Sequence, residues 1–285
     1  IVTIIQSDGT PVTQYFDENG KQQKGVAVKG SDGHLHYFDG ASGNMLFKSW
    51  GRLADGSWLY VDEKGNAVTG KQTINNQTVY FNDDGRQIKN NFKELADGSW
   101  IYLNNKGVAV TGEQIINGQT LYFGNDGRQF KGTTHINATG ESRYYDPDSG
   151  NMITDRFERV GDNQWAYFGY DGVAVTGDRI IKGQKLYFNQ NGIQMKGHLR
   201  LENGIMRYYD ADTGELVRNR FVLLSDGSWV YFGQDGVPVT GVQVINGQTL
   251  YFDADGRQVK GQQRVIGNQR YWMDKDNGEM KKITY

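Results

Sequence analysis

Apolar and polar positions alternate in short bursts, and the bursts return at a fixed interval along the chain. Thr120-Leu121-Tyr122-Phe123 alternates, breaks at the polar tetrad Gly124-Asn125-Asp126-Gly127, and resumes for a few residues. Period-two alternation marks a half-buried strand, and a tetrad ending in glycine supplies a turn in which positive φ costs nothing. No apolar period of 3.6 residues persists anywhere, so the pattern predicts an all-β chain of hairpins.

The interval is marked by a tyrosine. It falls at Tyr15, Tyr37, Tyr60, Tyr80, Tyr102, Tyr122, Tyr144, Tyr167, Tyr187, Tyr208, Tyr231, Tyr251 and Tyr271, thirteen positions spaced 20 to 23 residues apart. Three kinds of unit follow one another. The first carries a tryptophan two residues before its tyrosine, at Trp58, Trp100, Trp165 and Trp229, with AVTG or PVTG on the return strand. The second places Gln and Lys seven and nine residues after its tyrosine. Its copies are Tyr15/Gln22/Lys24, Tyr80/Gln87/Lys89, Tyr122/Gln129/Lys131, Tyr187/Gln194/Lys196 and Tyr251/Gln258/Lys260. The third has a longer turn, as in YYDPDSGNM and YYDADTGEL, and sets Met45, Met152, Leu216 or Met280 roughly opposite its tyrosine. The order is second, third, first, with a superperiod of 65 residues from Tyr122 to Tyr187 and 64 from there to Tyr251. One member is missing: after Lys89 the chain runs straight into the Trp100 unit.

Pairing the strands across the tetrad puts Phe123 opposite Arg128, Tyr122 opposite Gln129, Leu121 opposite Phe130 and Thr120 opposite Lys131. Leu121, Phe123 and Phe130 then form a face to be buried, and Tyr122, Gln129 and Lys131 a face left free. A lone hairpin is marginal in water, so the apolar faces must stack on their neighbours. The expected fold is an elongated β-solenoid of about thirteen stacked hairpins, one continuous array over residues 1–285. Because the chain opens inside the pattern, with no signal peptide, it reads as a fragment of a larger enzyme.

Composition narrows the function classes. Thirty-one basic and 33 acidic residues give a net charge of −2, evenly spread, which is no footprint for nucleic acid or an anionic membrane. No apolar run approaches the roughly 18 residues of a membrane span. There is no cysteine, so neither disulfides nor thiolate metal sites arise. The acids occupy repeated turn slots such as DGSW and DADG, where they form turns, and no nucleophile–base pair, phosphate loop or calcium loop is present. His34 and His36 lie two apart but lack a third ligand. The chain is therefore expected to be no enzyme and to hold neither cofactor nor metal.

The tyrosines and tryptophans both have a packing explanation, and it fits the tryptophan units better, because Ala and Thr on their return strands leave room for rings. The second unit points elsewhere. A flat ring offers an apolar platform, Gln a donor and an acceptor, and Lys donors only. A sugar fits that set, with its CH face on the ring and its hydroxyls on the amide and ammonium. A quaternary ammonium fits badly beside a lysine.

Units such as INGQTLYFDADGRQVKG and DGSWVYFGQDGVPVTG resemble cell-wall and choline-binding-type YG repeats. The ordered trio, with YYDADTGELVRNRF, resembles the C-terminal glucan-binding domain of glucansucrases from streptococci and related lactic acid bacteria, over essentially the whole chain. That resemblance implies a β-solenoid with sugar pockets made of a stacking tyrosine and neighbouring Gln and Lys, here the five sets above. It also implies that transferase chemistry lies in a separate region. Each pocket is expected between a Gln–Lys unit and the third-type unit after it, adding Tyr37 and Met45, Tyr144 and Met152, Tyr208 and Leu216, and Tyr271 and Met280. The Tyr80/Gln87/Lys89 set lacks that partner and is expected to be crippled or differently shaped. The resulting expectation is an extracellular or wall-associated monomer that binds α-glucan of the dextran type multivalently and tethers its enzyme to the polymer. The alternatives are attachment to choline or another wall polymer, and a structural spacer.

Overall fold

The computed structural model describes residues 1–284, with Glu202 described by its backbone only. Among the described residues there is no helix, and the strands form thirteen small antiparallel sheets of two or three strands. The contacts fall into two compact units. One comprises Ile1–Thr133 with Tyr145–Met152, the other Thr134–Tyr144 with the chain from Ile153 onward.

The hairpins are centred one turn earlier than the tetrads predict. Gln119–Phe123 pairs along its length with Gly112–Ile116, the strand before it, across Asn117 and Gly118. Both turn residues have positive φ, 52° and 78°. A two-residue loop of that kind has the twist of the flanking strands, and Asn-Gly adopts it at least cost. The tetrad closes a tight turn, with the Gly124 amide donating to the Arg128 carbonyl at 2.8 Å, and beyond it only a single bridge forms, Phe123 to Gln129. The same arrangement recurs in the second unit at Gly177–Ile181 with Gln184–Phe188 and at Gly241–Ile245 with Gln248–Phe252.

That bridge corrects the expected register by one residue. Phe123 lies opposite Gln129, not Arg128, and the Phe130 amide donates to the Tyr122 carbonyl at 2.8 Å. A one-residue slip moves every side chain to the other face. Tyr122 therefore packs edge-on against Phe130, ring centres 4.9 Å apart, while Gln129 and Lys131 point the other way. The last hairpin is also shifted. Met273, wholly buried, stands where the third-type hairpin at Ser142–Tyr145 has Tyr145, since the Gly261 amide meets its carbonyl as Gly132 meets that of Tyr145. Trp272 rather than Tyr271 is then the residue equivalent to Tyr144.

Most hairpins bury the residue that ends the second strand, usually an aromatic. Phe38, Phe123, Phe168, Phe188, Phe232 and Phe252 are all at most 1% exposed. Ile116, Leu121 and Phe123 pack with Phe92, Tyr102 and Val110 of the preceding hairpin. Ile181, Leu186 and Phe188 do the same with Phe157, Tyr167 and Val175. An ionic link reinforces three junctions. Arg128 joins Asp126 of its own turn to Asp97 and Ser99 of the turn before, and Arg86 joins Asp84 to Asp55 and Ser57. Arg257 reaches Asp226 at 3.0 Å. Where the preceding turn reads GDNQW, the arginine position is Ile193, so the two halves of the link are lost together.

Truncating Phe123 to alanine should cost about 3–5 kcal/mol, the usual loss for a buried aromatic. Hydrogen exchange should show the lost protection concentrated at residues 112–123, and uniform loss along the chain would contradict nearest-neighbour packing. Acidity offers a second check. Ser57 and Arg86 hold the Asp55 carboxyl down at about 2, against 3.8 ordinarily. A carboxyl lowered by folding stabilises the native state above its unfolded value, and that contribution disappears as pH falls from about 4 to about 2. Asp55→Asn should therefore lose less of its denaturant midpoint over that interval than the wild type; an equal loss would remove the link from the account.

Candidate functional site

Gln and Lys of the second unit come together as expected, but their neighbours differ from those expected. In four of the five sets both side chains donate to consecutive carbonyls of the next hairpin's five-residue turn. Gln129 Nε2 reaches the Ser149 carbonyl at 3.2 Å and Lys131 Nζ that of Asp148 at 2.8 Å. Gln22 and Lys24 bind Ser42 and Ala41, Gln194 and Lys196 bind Thr213 and Asp212, and Gln258 and Lys260 bind Asn277 and Asp276. The amide lies flat on the glycine that ends each turn. A Cβ at Gly43, Gly150, Gly214 or Gly278 would fall 2.2–2.4 Å from the glutamine Nε2, and all four glycines have φ of 72–77°. The pair is thus a clamp on a turn.

The ring beside the clamp is an indole. The Gln129 amide donates to the Trp100 carbonyl at 2.7 Å, and Gln87, Gln194 and Gln258 bind Trp58, Trp165 and Trp229 at the same distance. Lys131, Lys260 and Lys89 place their ammonium groups 5.6, 5.7 and 5.3 Å from the indole centres of Trp100, Trp229 and Trp58. Far from being packed away, Trp58, Trp165 and Trp229 are 36–38% exposed. Sequence reasoning assigned these rings to packing; the signal that would have found them is their fixed distance of 29 residues before each glutamine. The set at Gln22 has no tryptophan at that distance within the chain.

The tyrosines of the predicted sets line the interior instead. Tyr37 and Tyr80 are buried, Tyr37 with its hydroxyl on the Arg52 carbonyl. Tyr15 tilts against Phe38, Tyr122 against Phe130 and Tyr145, Tyr144 stacks on Phe168, and Tyr208 lies against Phe232. Tyr187 is covered by the Arg200 guanidinium at 3.9 Å, itself paired with Asp178. Tyr251 and Tyr271 are half-buried. Met45, Met152 and Leu216 bridge Phe38, Tyr145 and Tyr209, one residue beyond the expected partners, and Met280 pairs with Met273, two beyond Tyr271. Met45 and Leu216 turn towards Gly65 and Gly236 of the following hairpin, away from the clamp.

The fifth set, expected to be crippled or differently shaped, adjoins no third-type hairpin. Its neighbour is the four-residue turn Asn104–Gly107. Gln87 still finds a carbonyl there, that of Lys106 at 3.1 Å. Among the described residues Lys89 makes no hydrogen bond to that turn, although Asn105 stands two before its glycine as Asp148 stands two before Gly150, and burial pushes its ammonium below the ordinary lysine value. Beside it opens a cavity of about 340 Å³ bounded by Trp50, Trp58, Gln77 and Gln87. A larger groove of about 750 Å³ in the same unit is lined by no aromatic ring other than His34, with Arg86 and Asp55 already paired. His36 is no metal ligand in waiting, since its ring nitrogens meet Gly65 and Asp32.

With the geometry in place, comparison with known proteins is informative. The choline-binding repeat matches residues 5–50, 68–108, 110–157, 175–221 and 239–285. Glucosyltransferase-S of Streptococcus mutans serotype c is 40% identical over 236 residues, covering 83% of this chain and 13% of that protein. Glucosyltransferase-I of the same organism is 44% identical over 236 residues, covering 82% of the chain and 13% of its own length. The chain thus spans 13% of the length of either relative. In fold it is similar to choline binding protein F of Streptococcus pneumoniae, with a TM-score of 0.57 at 22% identity, covering 82% of this chain and 91% of that one.

The clamp is testable by a double-mutant cycle. Gln129→Ala should cost about 1 kcal/mol, one net hydrogen bond. Gly150→Ala should cost more, because it both strains a positive φ and evicts the amide. In the Gln129→Ala background its extra cost should shrink to the backbone strain alone; additive costs would show that the two residues do not touch.

Proposed function

This chain belongs to the choline-binding repeat family, and on that premise we propose that it is a carbohydrate-binding module that holds an α-glucan of the dextran type at several points. The binding faces are Trp100/Gln129/Lys131, Trp165/Gln194/Lys196 and Trp229/Gln258/Lys260. The observation that carries the reading is their repetition: one partly exposed indole, tied by the same 2.7 Å backbone bond to a Gln–x–Lys clamp. The module is non-catalytic.

The clamp orients these side chains without exhausting them. A lysine donating one N–H to a carbonyl keeps two more, and a glutamine donating through Nε2 keeps its amide oxygen. A hexose can lie with its CH face on the indole while its hydroxyls meet those groups. Choline is disfavoured on the same geometry, because in two of the three junctions a lysine ammonium already stands over the ring that would attract it.

A stack and two or three hydrogen bonds of about 1 kcal/mol each make every site weak, on the order of millimolar. A long chain spanning several sites gains about 10²–10⁴ in avidity. The relatives are glucosyltransferases, and the module would serve such an enzyme by holding it on its polymer outside the cell.

Dextran in native gels should retard the wild-type chain, and the triple variant Trp100→Ala, Trp165→Ala, Trp229→Ala should lose at least about ten-fold in apparent affinity. Glucose should compete poorly, and choline not at all. Undiminished retardation of a folded triple variant, or release by choline, would sink the proposal.

A further inference from the structure

Omitting one third-type hairpin gives Lys89 surroundings that none of its counterparts has. We propose that the cavity over Trp58 is a site for an anionic saccharide, a sugar ring carrying a carboxylate or a phosphate, separate from the neutral-glucan junctions.

The four other lysines of the Gln–x–Lys sets each donate to a turn carbonyl at 2.8–2.9 Å. The turns that receive them carry acids: Asp39 at the first, Asp146 and Asp148 at the next, then Asp210, Asp212 and Glu215, then Asp274, Asp276 and Glu279. Those turns are net acidic, even the last, where Lys275 pairs with Asp276 at 3.0 Å, and each already satisfies its lysine. At Lys89 both conditions are reversed. The adjoining turn is Asn104-Asn105-Lys106-Gly107, with no carboxylate and one added ammonium. Lys89 Nζ meets no acceptor among the described residues, and its one recorded partner is the Trp58 ring at 5.3 Å.

A partly buried cation without an anionic or carbonyl partner is costly, and a bound anion supplies what the missing hairpin would have given. The remaining walls fit a sugar. Trp58, 36% exposed, offers an indole, and Trp50, packed on Tyr60 and Phe81, also lines the space. Asn75, Gln77 and Asn105 bring amides that donate to and accept from hydroxyls, and no Asp or Glu lines the space. At about 340 Å³ the cavity has room for a small saccharide. A free inorganic anion would leave the indole and the amides unused, so the ring and the charge are expected on one molecule.

Indole N–H signals of the full chain, assigned with Trp58→Phe and Trp100→Phe, would be followed during titration with glucuronate, glucose 6-phosphate and glucose. The Trp58 signal should move with at least one acid at an affinity about ten-fold above that for glucose, the gain of a charge-assisted hydrogen bond. Whichever acid binds more tightly identifies the group as carboxylate or phosphate. Lys89→Met should abolish the preference while leaving the Trp100 signal unchanged. Lys106→Glu, which leaves Lys89 in place but restores an acid to the turn, should weaken it likewise. Glucose binding as tightly as both acids, or a preference that survives Lys89→Met, would overturn the proposal. Dextran retardation of Lys89→Met, measured in parallel, reports on the glucan junctions alone, so the two readings stand or fall separately.

Discussion

One backbone hydrogen bond sets the role of every side chain in the second unit. The Gln129 amide binds the Trp100 carbonyl at 2.7 Å, and the bond recurs at Gln87, Gln194 and Gln258. Side chains alternate along a strand, so this contact brings Lys89, Lys131 and Lys260 over the preceding indole and sends Tyr122 inward to Phe130. A bond made one residue away would exchange the two faces, exposing the tyrosine and burying the amide and the ammonium. Such an arrangement would leave polar groups without partners inside the repeat, which is strongly disfavoured. Register, aromatic burial and the polar face are consequences of one choice.

Clamping a turn and offering a binding face are compatible uses of the same two residues. Free glutamine and lysine side chains lose considerable rotamer entropy when they are fixed. In the four sets that adjoin a third-type hairpin the loss is incurred on folding, when the amide settles on a turn glycine and the ammonium on a carbonyl, so a sugar on the proposed faces would meet groups already oriented. The turn glycines are fixed for the same reason, because a Cβ at Gly150 would occupy the space of the Gln129 amide.

Much of this was legible in the sequence, and the errors share a cause. Alternation and turn chemistry identified an all-β chain, and the period counted the hairpins correctly, because both signals are local. The strand pairing was misplaced because two turn signals compete in each repeat. Asn117-Gly118 and Gly124-Asn125-Asp126-Gly127 both read as hairpin turns, and only the first has positive φ at both central residues. From that slip followed the tyrosine platform, since Tyr122 and Gln129 were placed on one face. The tryptophans were misread for another reason: their exposure depends on the hairpin 29 residues ahead, and no local pattern records it. Tyr271 was misplaced where the aromatic pair of the third unit shifts to Tyr271-Trp272, which a tyrosine-keyed period cannot register.

In a chain built this way a site belongs to a pair of neighbouring units rather than to a motif. Gln87-Ile88-Lys89 is spelled like its counterparts, yet its lysine ends in different chemistry because the next turn is one residue shorter and carries Lys106 in place of acids. The Gln–x–Lys spelling fixes where two side chains start, while the following hairpin determines whether a carbonyl, a carboxylate or open space meets them. Losing a hairpin need not erase the site at its border, because the surviving half keeps its indole, its amide and its backbone anchor. What changes is the electrostatic complement, so unit order can diversify recognition even where every motif is unaltered.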